Sequence, residues 1–221
     1  MSDLFIPRLL RRARVILEED GLLALGFRVL GETVYRRVLL AGFDLSQAGP
    51  PDDAPCRWLD ADEASGYAQF HPEITETEIR RRLGEGQRCW VLRSGGQFAH
   101  GLWIARRAWI SYLGIEMPLA RHEIYLYQTF TPPALRGRGF ASTALRAVLA
   151  VLNGEGWERV VLCIQPDRSV SYPPLYRAGF KPYGYLGWYK LGSARWTFRR
   201  SAHRFPFYAP PPGPWSIGAG Q

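Results

Sequence analysis

Leu135-Arg136-Gly137-Arg138-Gly139-Phe140-Ala141-Ser142 decides how this chain is read, because of what flanks it. A strand-like run, Glu123 to Phe130, enters it through Thr131-Pro132-Pro133, and a helical run, Ser142 to Leu152, leaves it. A glycine-containing turn from strand to helix exposes backbone N–H groups that the helix has not yet paired. With the positive end of the helix dipole, those groups make a site for phosphate oxygens. Gly137 and Gly139 let backbone approach a ligand closely, and Arg136 and Arg138 add positive charge beside the amides. The stretch predicts a phosphorylated ligand.

Which ligand is narrowed by what the stretch lacks. A P-loop needs Lys-Ser or Lys-Thr after its last glycine, and here Phe140-Ala141 follow. A dinucleotide fingerprint needs glycine or alanine where Ser142 stands, and an acidic residue at the far end of the next strand, whereas Glu158 lies at its beginning. What remains resembles the Arg/Gln-x-x-Gly-x-Gly/Ala signature of the GNAT superfamily of acyl-CoA N-acetyltransferases, matched by Arg136, Gly139 and Ala141. A second hallmark follows in order. Arg159 to Ile164 is a near-continuous apolar run suited to a buried strand. After a polar loop, Leu175-Tyr176-Arg177-Ala178-Gly179-Phe180 is similar to the family's short tyrosine-bearing helix and its Gly-Phe pair. The resemblance covers roughly Cys56 to Arg200. Arg168 departs from the asparagine common in the family, and Pro173-Pro174 interrupts the usual helix start.

The resemblance implies an α/β (α+β) domain: a mixed, mostly antiparallel sheet flanked by helices. It also implies acetyl-CoA, or another acyl-CoA, as co-substrate, with no metal. Arg136, Gly137, Arg138, Gly139, Phe140, Ala141 and Ser142 would hold the pyrophosphate, and Thr129, Phe130 and Thr131 the pantetheine and thioester. The backbone N–H of Phe130 or Thr131 would polarise the thioester carbonyl, and Tyr176 would give a proton to the departing thiolate. A phenol and a thiolate are of comparable basicity, which suits that transfer.

For the base, alternation along the strand puts Glu123, Tyr125, Tyr127 and Thr129 on one face, and Ile124, Leu126, Gln128 and Phe130 on the other. Glu123 is the leading candidate, acting directly or through water. A carboxylate merely paired with Arg121 is the alternative, and His122 and Glu116 are rivals. Trp103, Trp109, Tyr112 and Tyr127 line an acceptor pocket or belong to the core. His71, His100 and His203 show no ligand-like spacing.

Composition sets bounds on the rest. With 221 residues, 47% of them apolar, the chain can bury one sizeable domain plus extensions. The 28 Lys and Arg against 20 Asp and Glu give a net charge of +8. The excess suits a polyanionic ligand, and the absence of a lysine-rich run or zinc-finger spacing argues against nucleic acid. Cys56, Cys89 and Cys163 are scattered and odd in number, which fits a reducing, cytoplasmic compartment. No apolar run approaches the length of about eighteen residues that a membrane span needs.

Residues 1–43 read as an N-terminal extension of two helical pieces, broken near Asp20-Gly21, with arginines at 8, 11, 12 and 14. The pieces would pack on the domain or on a second copy in a homodimer, contact the inner face of a membrane peripherally, or dock a partner. Residues 44–55 read as a linker, 56–200 as the acetyltransferase domain, and 201–221 as a Pro-rich tail. Residues 107–121 form an extra strand or a loop. The activity expected is transfer of an acetyl or similar acyl group to an amine by direct attack. The alternatives are a catalytically silent acyl-CoA-binding module or a membrane- or partner-docking protein. The acceptor stays open among an amino sugar, another small amine and a protein lysine.

Overall fold

The computed structural model describes residues 34–50, 53–165 and 172–201. The chain divides into two compact units. Among the described residues, the larger comprises those within Gly42–Trp109 and Glu116–Leu162, and the other holds 34–41, Ile110–Ile115, 163–165 and 172–201.

In the larger unit, strands β2 (Cys56–Trp58), β3 (Arg88–Ser94), β4 (Gln97–Ala105), β7 (Glu123–Phe130) and β8 (Arg159–Ile164, as far as Leu162) lie in the order β8-β7-β4-β3-β2. Three of the pairings are antiparallel, and β7 with β8 is parallel. A parallel neighbour needs a crossover, and helix α3 (Phe140–Gly154) supplies it. Its apolar residues recur at helical spacing, so Leu145, Val148, Leu149 and Leu152 are buried together.

Helices α1 (Ala64–Phe70) and α2 (Glu76–Gly84) precede β3. The Thr75 hydroxyl accepts from the Glu78 N–H at 3.3 Å and caps α2. Glu76 and Glu78 stand in the first turn and Arg81 and Arg82 in the last, matching the helix dipole. The two helices close over a core of Leu59, Tyr67, Ile79, Val91 and Trp103. Residues 107–121 form a small ribbon of β5 (Ala108–Ile110) and β6 (Ile115–Met117).

The other unit holds β1 (Tyr35–Asp44) as far as Ala41, with α4 (Tyr172–Arg177), β9 (Lys181–Leu191) and β10 (Ala194–Ser201). β9 and β10 form an antiparallel hairpin turning at Gly192-Ser193, and the Lys190 N–H donates to Val34 O at 2.7 Å. The tyrosine rings at 35 and 189 stack at 5.0 Å.

Residues 35–43, read from the sequence as the end of a helix, are strand β1. Val38, Leu40, Ala41 and Phe43 are all buried. A strand covered on both faces shows no alternation, and its apolar run mimics a buried helix. The remainder of the expected helical extension, residues 1–33, and the Pro-rich tail beyond residue 201 lie outside the described residues. Among the described residues no helix is long and apolar enough to cross a membrane.

Candidate active site

The glycine loop lies open. Gly137 and Gly139 have φ of 78° and 81°, in the left-handed region where a side chain is strained. A Cβ built on either would meet nothing within 4 Å. Both positions therefore require glycine for the backbone path, and the space in front of them is free. Gly139 is the N-cap of α3 and offers no side chain to the helix amides.

The Thr143 N–H is the first to find an acceptor, Gly139 O at 3.0 Å. Among the described residues, none of the amides from Gly137 through Ser142 donates to a protein oxygen. Arg136, Arg138, Ala141 and Ser142 are exposed, and Phe140 is half-buried. Arg136 Nε donates to Thr131 O at 3.3 Å, which ties the loop to the end of β7. Unpaired amides at a helix start, two flexible-backbone glycines and two arginines fit a diphosphate group.

β7 carries two irregularities that bear on Thr129, Phe130 and Thr131. Its ladder with β8 comprises only Glu123↔Arg159, Ile124↔Val160 and Tyr125↔Val161, and β7 runs on for five residues past it, to Phe130. On the opposite side, the register against β4 slips between Tyr127↔Trp103 and Phe130↔Gly101, so two residues of β7 face one of β4. This is a β-bulge at Gln128, whose φ of 47° is the one positive value outside glycine among the described residues. A left-handed glutamine costs about 1–2 kcal/mol, and such strain gathers at functional sites. The alternation expected along β7 therefore holds from Glu123 to Tyr127 and breaks before Thr129.

The end of β7 rests on two buried histidines. The Thr131 hydroxyl and His100 Nδ1 share a hydrogen bond of 2.7 Å. The His71 ring stacks on Phe130 with centroids 4.1 Å apart. Burial lowers the pKa of both, that of His100 to about 4, so both imidazoles are neutral at pH 7.

Glu123 stands elsewhere. It opens β7, and at roughly 3.3 Å per residue the strand separates it from Phe130 by about 20 Å. Its Oε1 pairs with Arg159 Nη1 at 2.7 Å and its Oε2 accepts from the Ala120 N–H at 2.9 Å. Both oxygens are engaged in holding the strand entry, with Arg159 rather than Arg121 as partner. The structure does not bring this carboxylate to Thr129–Thr131. Glu116 is likewise bound in an ion pair, with Arg107 at 2.8 Å.

Tyr176 belongs to the other unit, in α4, where it is 46% exposed. The Gly179 N–H donates to Tyr176 O and the Phe180 N–H to Leu175 O, which closes the helix just after the tyrosine. The prolines at 173 and 174 fall in the first turn of α4, where a missing N–H breaks no helix bond. Of the aromatic set weighed as an acceptor pocket, Trp103 is fully buried core and Trp109 is exposed. Among the described residues no group of three or more His, Cys, Asp or Glu could hold a metal.

The acetyltransferase (GNAT) family model matches residues 53–180, more than half of the chain, and the chain belongs to that family. The fold agrees with solved structures at low sequence identity. A putative GNAT acetyltransferase from Novosphingobium aromaticivorans superposes with a TM-score of 0.54 at 18% identity, over 70% of this chain and 64% of that one. A functionally unknown conserved protein from Staphylococcus epidermidis does so with 0.50 at 9% identity, over 80% and 66%. The chain thus spans less than two thirds of the Novosphingobium protein's length. No curated protein matches the chain.

Proposed function

We propose that this protein acetylates, or similarly acylates, a small amine or amino sugar by direct attack on an acyl-CoA. The observation that carries the reading is the set of unpaired amides from Gly137 to Ser142 at the left-handed N-cap of α3. These amides, with Arg136 and Arg138, bind the pyrophosphate. When bound, acyl-CoA supplies an activated carbonyl and a thiolate leaving group. Thr129, Phe130 and Thr131 lie past the end of the β8 ladder, and a backbone N–H there takes the charge that develops on a carbonyl oxygen. A donor aimed in advance at such an oxygen contributes on the order of 3 kcal/mol.

Pro132 and Pro133 carry no N–H and so cannot prolong a ladder, which supports the strand's ending there. Tyr176 is the proton donor by its place before Gly179-Phe180. Glu123 has no part in the chemistry, because its two oxygens brace β7 at the opposite end. We take residues 56–200, together with strand β1, as the acyltransferase region, the residues between β1 and Cys56 as its linker, and residues 1–33 and those beyond 201 as additions to it.

The test is a panel of small amines, amino sugars and lysine peptides offered with acetyl-CoA and read by thiol release. An amine-dependent release is expected with at least one small amine or amino sugar. Tyr176→Phe should lower turnover about 100-fold while leaving acetyl-CoA affinity within about twofold. Unchanged turnover would remove Tyr176 from the mechanism. Binding without release across the panel would favour a silent acyl-CoA-binding module.

A further inference from the structure

The bulge at Gln128 is not held by β7 itself. Arg82, from the last turn of α2, donates through Nη1 to Gln128 Oε1 at 2.5 Å, bridging 46 positions of sequence. Its own placement is over-determined. Nε donates to Glu78 Oε1 at 2.7 Å. The guanidinium lies over the Trp103 ring at 5.1 Å from the centroid and over the Tyr127 ring at 5.5 Å. The side chain is only 15% exposed, unlike Arg80 and Arg81 at 50% and 53% on the same helix. Trp103 and Tyr127 are also the last register pair before the slip. One cation thus grips β7 on the near side of the bulge through the Tyr127 ring, β4 through the Trp103 ring, and the bulged residue itself through a hydrogen bond.

We infer that Arg82 is a positioning residue that clamps Gln128 in its left-handed conformation, and so sets the direction of the backbone of Thr129 and Phe130. The inference rests on the proposed function in one respect, that the N–H groups beyond Gln128 receive the thioester carbonyl. A glutamine at φ 47° relaxes to extended backbone unless its surroundings hold it. Arginine supplies what that needs: a planar fork that stacks on rings while a second N–H reaches an amide oxygen. Lysine cannot do both. Glycine at 128 makes the clamp unnecessary, because it enters the left-handed region without strain.

The test joins two measurements on the full chain. The first is the 13Cα and 13Cβ chemical shift of residue 128, which separates left-handed from extended backbone. The second is the ratio of affinities for acetyl-CoA and for CoA, by calorimetry, which isolates the acetyl carbonyl because both ligands share the pyrophosphate contacts. Arg82→Met should move the residue 128 shifts to extended values and erode the preference for acetyl-CoA about fivefold, the worth of one hydrogen bond. Arg82→Met combined with Gln128→Gly should return the ratio to within about twofold of wild type. Should Arg82→Met fail to fold, Gln128→Leu removes the acceptor and keeps the ring contacts, and it should shift residue 128 in the same way.

Left-handed shifts retained in Arg82→Met, or in Gln128→Leu, would overturn the clamp. So would a ratio that the glycine does not restore. A wild type that binds neither acetyl-CoA nor CoA would defeat the proposed function alone, since the chemical shifts still decide the clamp.

Discussion

His100 shows how one buried side chain ties the candidate site to the stability of the chain. It bonds to Thr131 and is held neutral by burial, with its pKa lowered to about 4 from an ordinary value near 6.5. The unfolded chain therefore takes up a proton before the folded chain does as pH falls. Stability is complete above pH 6.5 and is lost between 6.5 and 4, at up to about 1.4 kcal/mol per pH unit. His71 acts in the same direction. The urea midpoint should fall between pH 7 and pH 5 by the equivalent of about 2 kcal/mol, and His100→Leu should flatten that slope. A slope unchanged by the substitution would mean that another group titrates.

Glu123 makes the opposite case, a polar residue whose place is structural. Glu123→Gln should cost about 1 kcal/mol through the loss of the Arg159 pair and leave amine-dependent thiol release within about twofold of wild type. A loss of turnover larger than the loss of folded protein would return it to the chemistry. The residue was legible in the sequence as a carboxylate on a strand. Its distance along the strand from Phe130 and its pairing with Arg159 come only from the fold. Nothing in Glu-Ile-Tyr-Leu-Tyr-Gln-Thr-Phe marks Gln128 either, since the run alternates as an unbroken strand would. Arg82 was equally hidden, because arginines four residues from glutamates on a helix read as a solvated face.

At the scale of elements, the contact between α1 and β4 explains a glycine that the sequence left unremarked. Gly101 opposes Phe130 in the ladder, and a Cβ there would lie 2.3 Å from Tyr67 Oη and 2.8 Å from its Cε2. Tyr67 is fully buried in the core, so it cannot swing away. Gly101→Ala should cost about 1–3 kcal/mol in urea unfolding, and Tyr67→Phe in the same chain should recover part of it by removing the nearest atom. Equal stability of Gly101→Ala and wild type would show that β4 and α1 stand further apart.

Most elements leading into and out of the glycine loop were readable. β7, β8 and α3 fall within two residues of the runs that periodicity and turn residues mark out. β1 was not. In Tyr35-Arg36-Arg37-Val38-Leu39-Leu40-Ala41-Gly42-Phe43 the apolar residues cluster instead of alternating, and burial on both faces erases the difference between strand and helix.

For the whole molecule, the signature loop and the ordered second hallmark were enough to read the fold, because each motif is a backbone requirement. The loop needs glycine where φ is positive, and the helix after it needs a start without a side-chain cap. What the sequence withheld is spatial: the early end of the β7–β8 ladder, the bulge, and the histidines beneath Phe130 and Thr131. The proposed activity requires that the open amides of Gly137–Ser142 bind a diphosphate. Calorimetric titration of the full chain with acetyl-CoA tests this most directly, with Gly139→Val as the control. One-to-one binding below millimolar concentration, abolished by Gly139→Val, is the result predicted. Absence of binding at millimolar acetyl-CoA, or undiminished binding by the folded Gly139→Val chain, would contradict it.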